Sequence, residues 1–424
     1  MNDKRRLYLE EVTDQIQSKE AKKYISVELE SHLKEAKDSF IKKGLNETEA
    51  EEKAICQMGS SWQLGKQLNK LHRPKVDWLM VFLMILIVSL SFLPIIALDN
   101  ADMGSYTENK IIIVIIGIAV IFGLMFFDYK KLKKHTWLFF GTGMFILLLL
   151  HFFPSHYMNG YPIFEIGPIT INGLSSIPFF FLFWASFFNT GKAKLWQATL
   201  IFFITSFMFL SIGGFSTFFI HSVMVFSMIW LSNIKSLKIL GATLTAMFLV
   251  TIAGLAIWPF LEEYQLERLL SFLNPENFSD SSGYLYIRVK ELMLSAGWFG
   301  NGIDQEFIPD SHTDFVFVNI TYHFGWVLAG FLVVTLALVL ARMLFTLKKI
   351  KDSYGKMLII GGVTLFSTQF IYNIGMTLGF FPMISMSLPF VSYGLTPTLL
   401  NSIIIGIFLS VYRRKDLFFK TELT

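Results

Sequence analysis

The chain begins with a charged stretch of helical period and continues as a long series of apolar runs. Residues 1–75 are dense in Lys and Glu. Helical spacing there places one set of apolar side chains on a single face: Ile25, Leu29, Leu33, Ala36 and Phe40. Gly44 ends that helix, and Asn46 with Glu49 has the spacing of a capping box for the next helix, which Gly59 ends. The pattern predicts a small helical domain over residues 1–72.

Ten apolar runs follow, and each approaches the ~20 residues that a helix needs to cross a bilayer. They lie at about 76–97, 111–127, 136–153, 175–190, 195–212, 215–232, 239–260, 315–345, 357–380 and 395–412. The fourth to sixth runs are short or closely spaced, which leaves their boundaries open. We therefore expect an all-α, polytopic membrane domain over residues 76–415 and a short cytosolic tail at 416–424.

Basic residues predict the orientation of the spans. They precede the first run and follow every even-numbered run: Lys70, Arg73, Lys75, Lys130, Lys131, Lys133, Lys134, Lys192, Lys194, Lys235, Lys238, Lys348, Lys349, Lys351, Arg413, Arg414 and Lys415. By the positive-inside rule, both termini are expected in the cytosol. The largest external loop is then 261–314, and its segment 282–300 has the composition of a helix lying at the membrane interface.

Composition supports a membrane protein. The 424 residues are 53% hydrophobic and 16% charged, whereas a soluble protein carries about 25% charged residues. The net charge of +4 does not indicate a nucleic-acid partner, because the basic residues lie beside the spans. No secretory signal peptide is expected, since the first 70 residues are charged. The single cysteine, Cys56, excludes an intramolecular disulfide and is expected to be a small core residue.

Few ionisable side chains lie within the runs or at their edges, and each is a candidate because charge at membrane depth is costly. We single out His151, His221, His323, Arg342 and, at the start of the eighth run, Asp314. The sequence has no HExxH motif, Cys/His cluster, P-loop or GxSxG elbow. Asp314 is therefore the main candidate for chemistry.

The residues themselves leave two interpretations of Asp314 open. Thr313 or Asp314 could cap the eighth helix, because an acidic side chain suits the unpaired N–H groups at a helix start. Alternatively, Asp314 could act as a general base at the boundary between water and lipid.

A second polar segment lies at residues 373–394. Pro382 and Pro389 break the helix after Gly379, and the turn Leu388-Pro389-Phe390-Val391-Ser392-Tyr393-Gly394 precedes the last run. Irregular backbone at membrane depth occurs where it is buried in protein or lines a cavity. The segment therefore predicts a cavity wall.

Together these motifs resemble the SEDS family (shape, elongation, division and sporulation), which includes RodA, FtsW and SpoVE. The matching residues, in order, are Arg268, Asn274, Pro275, Gly283, Tyr284, Gly300, Gly302, Pro309, His312, Thr313, Asp314, Phe315, Asn373, Gly375 and Leu388 to Gly394. The resemblance covers about residues 76–415 and implies the ten-helix, GT-C-like membrane fold of that family.

The resemblance also implies an activity. SEDS proteins polymerise lipid II, the undecaprenyl-pyrophosphate-linked disaccharide-pentapeptide, on the outer face of the bacterial plasma membrane. Asp314 would be the base that deprotonates the acceptor, and configuration would invert. Arg268 would face a pyrophosphate. The other matched polar residues are expected at the substrate: His312, Thr313, Tyr284, Asn373, Ser392 and Tyr393. A divalent cation (Mg²⁺ or Mn²⁺) could assist the leaving group, although no ligand cluster is visible, and a class B penicillin-binding protein would be the partner.

The chain departs from the family pattern at several cavity positions. Neutral residues replace an acidic motif at Asn172–Ser175, Gly213–Ser216 replaces Pro-Asp-Leu-Gly, Leu285 replaces Gln, and Tyr322 and His323 replace acids. These losses favour a second hypothesis, a non-catalytic scaffold or regulator of wall synthesis. A transporter of a lipid-linked precursor is a third.

The N-terminal stretch has its own resemblance. GLNETEAEEKAICQMGSSWQLGKQL resembles the helical prefix domain that precedes some bacterial permeases. That resemblance covers roughly residues 5–72 and implies a cytosolic docking or regulatory module with an unidentified partner. The alternative is a solvated helical bundle with no specific partner.

Overall fold

The computed structural model divides the chain into two compact units. One comprises Met1–Asp77 with Tyr412–Thr424, and the other comprises Trp78–Val411. The structure describes residues 3–17, 19–71, 74–97, 100–158, 160–167, 169–189, 194–230, 241, 270–302 and 310–416.

The N-terminal unit contains four helices: α1 (Asp3–Asp14), α2 (Lys19–Lys42), α3 (Glu47–Met58) and α4 (Ser61–Leu71). Its core is built on the predicted face of α2, where Ile25, Leu29 and Leu33 are buried. The predicted helix ends are also confirmed. Asn46 accepts a 2.8 Å hydrogen bond from the Glu49 amide, and Gly59, with φ of 78°, is the C-cap of α3.

Cys56 corrects one expectation. The thiol was predicted in the core, but it is exposed. The buried residues of α3 are Ala50 and Ala54. Because each helical residue advances about 100°, a side chain two positions beyond Ala54 points to the opposite side of the helix. The period of α3, rather than the small size of cysteine, decides its exposure.

The membrane unit is built mainly from apolar helices. They are α5 (Trp78–Leu90), α6 (Leu93–Ile96), α7 (Asn100–Phe126), α8 (Thr136–Phe152), α9 (Ile177–Asn189), α10 (Leu195–Ser211), α11 (Phe215–Trp230), α12 (Tyr284–Ser295), α13 (Val316–Leu347), α14 (Ser353–Thr377) and α15 (Leu395–Arg414). Short 3₁₀ helices occupy Tyr129–His135, Gly173–Ser176 and Pro275–Phe278.

These helices account for nine of the ten predicted spans. Within the described part of the chain, six helical segments are long and apolar enough to cross a membrane, and α9, α10 and α11 belong to shorter apolar segments. The seventh predicted span, 239–260, lies outside the described residues apart from Gly241. The all-α, polytopic prediction is confirmed, and the short fourth to sixth runs correspond to the short helices.

A small sheet was not predicted. Three antiparallel strands, β1 (His156–Met158), β2 (Tyr161–Ile166) and β3 (Ile169–Ile171), follow α8 in the order β1-β2-β3. The turns between them contain Gly160 and Gly167, whose φ angles are 81° and 59°. Such values favour glycine, which lacks the Cβ that crowds the left-handed region. The strands are only three to six residues long. Such short segments do not show a recognisable alternation of apolar and polar residues.

The eighth span is broken rather than continuous. Gly325 in α13 has φ of 88°, outside the helical region. The amides just beyond it pair with the loop after α12: Trp326 N–H donates to the Gly297 carbonyl at 3.2 Å, and Val327 N–H donates to the Trp298 carbonyl at 3.1 Å. A Cβ on Gly325 would overlap that loop backbone. The loop after α12 is thereby joined to the helix that follows Asp314.

Candidate functional site

Asp314 lies in a turn before α13, not at its cap. The turn is closed by the Asp310 carbonyl, which accepts hydrogen bonds from Thr313 N–H at 3.0 Å and Phe315 N–H at 3.2 Å. The N-cap position is Phe315, with no side-chain cap bond. The capping interpretation of Thr313 and Asp314 is therefore wrong: the Thr313 hydroxyl donates back to the Asp310 carbonyl instead.

The backbone and the carboxylate of Asp314 are each held by a separate donor. The Asn373 amide donates to the Asp314 carbonyl at 2.8 Å and also to the Met386 carbonyl. The Ser385 hydroxyl donates to Asp314 Oδ2 at 2.7 Å. Asn373 belongs to α14, whereas Ser385 belongs to the broken segment after it. The site thus depends on the break that Pro382 predicted.

The turn before α15 holds the two residues that precede Asp314. The Ser392 hydroxyl donates to the Thr313 carbonyl at 2.7 Å and accepts from Leu388 N–H at 2.8 Å. Tyr393 N–H donates to the His312 carbonyl at 2.7 Å. Backbone bonds of this kind make the segments around Asp314 and Ser392 one structure, although they are far apart in sequence.

A cavity of about 430 Å³ opens beside Asp314 and has two walls. The motif wall, as we call it, comprises Asp310, His312, Thr313, Asp314, Ser385, Met386, Ser387, Ser392, Tyr393, Gly394, Leu395, Thr396 and Pro397. The sheet wall comprises Met158, Tyr161, Pro162, Ile163, Thr170, Asn172, Gly173, Leu174, Ile212, Gly214, Ser216, Thr217 and Ile220. The prediction that residues 373–394 contribute a cavity wall is confirmed.

Charge is unevenly distributed in this cavity. Among the described lining residues, the acidic side chains are Asp310 and Asp314, both on the motif wall, and no lysine or arginine is present. The sheet wall carries neutral polar groups such as Asn172 and Thr217. The arrangement suits hydroxyl-bearing ligands at Asp314, because hydroxyl groups can donate to a carboxylate.

Three aromatic rings pack together at the edge of the motif wall. The ring centroid of Tyr106 lies 4.9 Å from that of His312 and 5.2 Å from that of Tyr393, and the last two are 5.6 Å apart. Burial lowers the pKa of His312 from its ordinary value, and the nearby Asp310 charge opposes that shift. Burial also raises the pKa of the Tyr393 hydroxyl. Both shifts favour the neutral forms of these rings.

The predicted site residues separate into groups. Asp314, His312, Thr313, Ser392 and Tyr393 line the cavity together. Asn373 is fully buried, and its amide holds two backbone carbonyls behind the wall, so it supports the site rather than lining it.

Tyr284 and Arg268 do not join that group. Tyr284 begins α12, is 49% exposed and is not among the lining residues. The neighbouring Tyr286 reaches the broken segment instead, since its hydroxyl accepts a 2.9 Å bond from Met383 N–H. Arg268 lies outside the described residues.

Sequence reasoning missed two residues of the site. Ser385 bonds the carboxylate of Asp314, but nothing distinguishes it from the other serines of its segment. Lys110 lies behind the motif wall, where its ammonium contacts the carbonyls of Phe390, Val391 and Ser392. A signal for Lys110 existed: it stands alone in the sequence immediately before an apolar run.

The described residues do not form a metal centre. No group of three or more His, Cys, Asp or Glu side chains comes together in the part of the chain that the structure covers. The cavity offers the two carboxylates of Asp310 and Asp314, and Mg²⁺ is commonly held by one or two carboxylates together with water and substrate phosphates. The described residues therefore form no closed protein cage for Mg²⁺ or Mn²⁺, and a cation bound here would share its coordination with phosphate oxygens of a substrate.

Comparison with known proteins gives consistent results. The family model described as "Cell cycle protein" (FtsW/RodA/SpoVE) matches residues 73–417. A relative named "Probable peptidoglycan glycosyltransferase FtsW" from Coxiella burnetii is 30% identical over 193 residues, which are 40% of this chain and 52% of that protein. The relative of the same name from Idiomarina loihiensis is 23% identical over 84% of this chain and 91% of its own. "Peptidoglycan glycosyltransferase MrdB" of Escherichia coli is 30% identical over 39% of this chain and 46% of its own. The alignments thus span from about half to most of these relatives' lengths.

Solved structures share the fold. A chain of a peptidoglycan synthase complex that coordinates polymerisation and crosslinking superposes with a TM-score of 0.68 at 22% identity, covering 80% of this chain and 98% of that one. RodA of Thermus thermophilus superposes with a TM-score of 0.58 at 19% identity, covering 81% and 98% of the two chains. The apolar helices, the placement of the motifs and the match over residues 73–417 make this chain a multi-pass membrane protein of the FtsW/RodA/SpoVE (SEDS) family.

Proposed function

We propose that this protein is a glycosyltransferase that polymerises lipid II into peptidoglycan strands on the outer face of the bacterial plasma membrane. The observation that carries the proposal is the placement of Asp314. Its carboxylate lies on a cavity, its carbonyl is held by Asn373, and its Oδ2 atom accepts a bond from Ser385. A carboxylate held this firmly is suited to general-base catalysis, because proton abstraction requires hydrogen-bond reach in a defined direction.

The proposed step is a single displacement. Asp314 takes the proton from the 4-hydroxyl of the acceptor sugar while that oxygen attacks the anomeric carbon of the donor. The bond from the anomeric carbon to the pyrophosphate oxygen breaks, and undecaprenyl pyrophosphate leaves with the electron pair. Attack opposite the leaving group inverts the configuration. The proton remains on Asp314 until it passes to solvent.

The lining residues suit a sugar near Asp314. His312 and Tyr393 offer ring faces together with polar atoms, and Thr313 and Ser392 lie on the same wall. In this proposal Arg268 binds the pyrophosphate, since a guanidinium matches phosphate oxygens in pairs. A divalent cation would arrive with the pyrophosphate, as part of the substrate. In this proposal, Tyr284 and Asn373 do not contact the sugar.

Comparing Asp314→Asn with Asp310→Asn tests the base. Both changes remove one carboxylate from the motif wall, and position 310 tolerates Asn because its φ is 44°, a value that Asn adopts readily. We expect Asp314→Asn to lower lipid II polymerisation in proteoliposomes by about 100-fold or more, and Asp310→Asn to stay within a few fold of wild type. Equal activity of wild type and Asp314→Asn would refute the base role.

A non-catalytic scaffold is the second candidate. The observation that favours it is the neutral sheet wall, where Asn172–Ser175 stands in place of the family's acidic motif. The same assay separates the candidates: if purified wild type, alone and with its partner, forms no polymer, the scaffold is favoured.

The expected partner is a class B penicillin-binding protein, and its support is the fold shared with a chain of a peptidoglycan synthase complex. With cytosolic termini, residues 1–72 would face a cytosolic partner that the comparisons do not identify. Co-purification with and without residues 1–72 tests whether that domain is needed for assembly.

A further inference from the structure

Lys110 is a buried cation that the proposed chemistry does not use. It lies in the first part of α7, and only 1% of the residue is exposed. Its Nζ atom lies 3.4 Å from the Phe390 carbonyl oxygen and 3.3 Å from those of Val391 and Ser392. A lysine ammonium has three N–H donors and no acceptor. Three successive carbonyls therefore match its donors one for one.

The partners of this ammonium are dipoles rather than a carboxylate. None of the salt bridges found among the described residues includes Lys110. A buried charge without compensating hydrogen bonds is costly, so the carbonyl contacts explain how Lys110 is tolerated at this depth. They also mean that its donors are already engaged and are not directed at a ligand in the cavity.

The turn that Lys110 binds has an unusual backbone. Phe390 has φ of 62°, in the left-handed region that residues with a Cβ rarely adopt. Converging carbonyl groups also repel one another unless a cation or donor lies between them. The positive φ of Phe390 and the converging carbonyls both disfavour this turn in isolation. Lys110, which belongs to α7, contributes a contact that offsets them.

The same turn holds the residues next to Asp314. Directly after Phe390 and Val391, the Ser392 hydroxyl donates to the Thr313 carbonyl and Tyr393 N–H donates to the His312 carbonyl, each at 2.7 Å. A short path of contacts thus runs from the ammonium, through the turn, to the backbone that carries Asp314.

We propose that Lys110 is a positioning residue, which gathers the carbonyls of residues 390–392 and so holds the Asp314 turn in place for catalysis. The catalytic part rests on the proposed function, whereas the structural part does not. Lys110 touches no substrate in this proposal. Its removal should therefore lower kcat while leaving KM nearly unchanged.

The test replaces Lys110 by Met, which keeps the length of the side chain and removes its charge. Hydrogen exchange of the 388–393 segment is the readout that does not depend on activity, because the amides of Leu388, Val391, Ser392 and Tyr393 are all bonded there. We expect exchange of that segment to accelerate at least tenfold. In the polymerisation assay, we expect kcat to fall about tenfold with KM within twofold of wild type. Lys110→Gln, whose amide can still donate to two carbonyls, should show smaller changes of the same kind and serves if the Met variant does not fold.

A second arm uses Phe390→Gly, because glycine adopts a positive φ without strain. If Lys110 holds the strained turn, Lys110→Met should accelerate exchange several-fold less in the Phe390→Gly background than in the wild-type background. Asn109→Ala is the matched control on α7: it removes a side-chain bond to the Tyr393 hydroxyl but leaves the three carbonyl contacts.

Wild-type exchange of residues 388–393 in Lys110→Met would overturn the proposal, whatever the enzyme does. Faster exchange with wild-type kcat would overturn the link to Asp314. If Asn109→Ala lowers kcat as much as Lys110→Met does, the carbonyl contacts of Lys110 are not what positions Asp314. If wild type makes no polymer, the proposed function fails, and the exchange results alone decide whether Lys110 holds the turn.

Discussion

The two walls of the cavity differ in how they are held. On the motif wall, the backbone from His312 to Asp314 is bonded from α14 and from the turn before α15, and Ser385 bonds the carboxylate itself. The sheet wall is built largely from short strands and a 3₁₀ helix. Its polar groups make mostly local bonds, such as Thr217 Oγ1 to the Gly214 carbonyl and Ser175 with Asn172. The walls meet at the Thr396 hydroxyl, which donates to the Thr170 carbonyl at 3.4 Å.

This difference matches two requirements of catalysis. A base must be held in a narrow range of positions, because a misplacement of about 1 Å can reduce a rate about 100-fold. A surface that only binds substrate can be exposed and locally folded, since uniform binding does not require that precision. We therefore interpret the motif wall as the reacting side and the sheet wall as the binding side.

Among the variants that test how the two walls are held, the largest effect is expected from removing the Asn373 amide. Asn373→Leu leaves the carbonyls of Asp314 and Met386 without that donor, and an unpaired buried group costs about 1–3 kcal/mol. We expect the protein to be less stable in detergent and polymerisation to fall about 100-fold, because the base moves. Thermal unfolding and kcat are the measurements.

Asn401→Leu is the matched control for this change. Asn401 is also fully buried, and its amide also donates to two acceptors, Gln369 Oε1 and the Pro397 carbonyl. Its removal should cost similar stability but leave kcat within about threefold, because no bond to the Asp314 backbone is lost. If the two variants lose activity equally, Asn373 acts through general stability rather than through Asp314.

Much of the motif wall could be predicted from the sequence. The placement of His312, Thr313, Ser392 and Tyr393 at the site follows from the family resemblance, whereas Asp314 and the broken segment are indicated by local signals: an acid at a span boundary and prolines within an apolar run. The amphipathic face of α2 and the end of α3 at Gly59 were predictable for the same reason. Each signal depends on a few neighbouring residues.

The remaining features depend on contacts between distant segments. The bond from Ser385 to Asp314 crosses 71 positions, and the contact of Lys110 with Ser392 crosses 282. The strands of the sheet wall are too short for a hydrophobic period. The break at Gly325 lies inside a run that is apolar on both sides. Because hydropathy reports side-chain polarity and not backbone angles, it does not predict this break.

A smaller effect is expected at Ser385. Ser385→Ala removes the donor to Asp314 Oδ2 but leaves the backbone of the turn in place. A hydrogen bond to a charged group contributes about 1.5–3 kcal/mol when buried, and less at the exposed Ser385, so we expect kcat to fall about fivefold to tenfold. Ser387→Ala is the control on the same segment, because the hydroxyl of Ser387 makes a longer bond, 3.5 Å to Gln369 Oε1. An equal loss in both variants would contradict a specific role for Ser385.

The sheet wall should respond differently. Met158 lines the cavity, whereas its neighbour Tyr157 does not, because successive side chains of a strand point to opposite faces. We expect Met158→Ala to raise KM about threefold to fivefold, from the loss of roughly 1 kcal/mol of apolar contact, with kcat unchanged. Tyr157→Ala should change neither. A fall in kcat for Met158→Ala would mean that the sheet wall also positions the reacting groups.

The smallest effect concerns the pH dependence of the motif wall. Because burial lowers the pKa of His312, the folded protein binds this proton less tightly than the unfolded chain does. Stability from this group is therefore present at neutral pH and is lost as the pH falls below the ordinary value of 6.5 toward the lowered one. His312→Phe keeps a ring beside Tyr106 and Tyr393, and it should flatten the fall in apparent Tm at pH values below 6.5. Asp310→Asn removes the charge that opposes the shift, so the fall should extend to lower pH. If the dependence of apparent Tm on pH is the same in His312→Phe as in wild type, protonation of this imidazole does not destabilise the folded protein. The ring would then be hydrated well enough to carry a charge at the edge of the cavity.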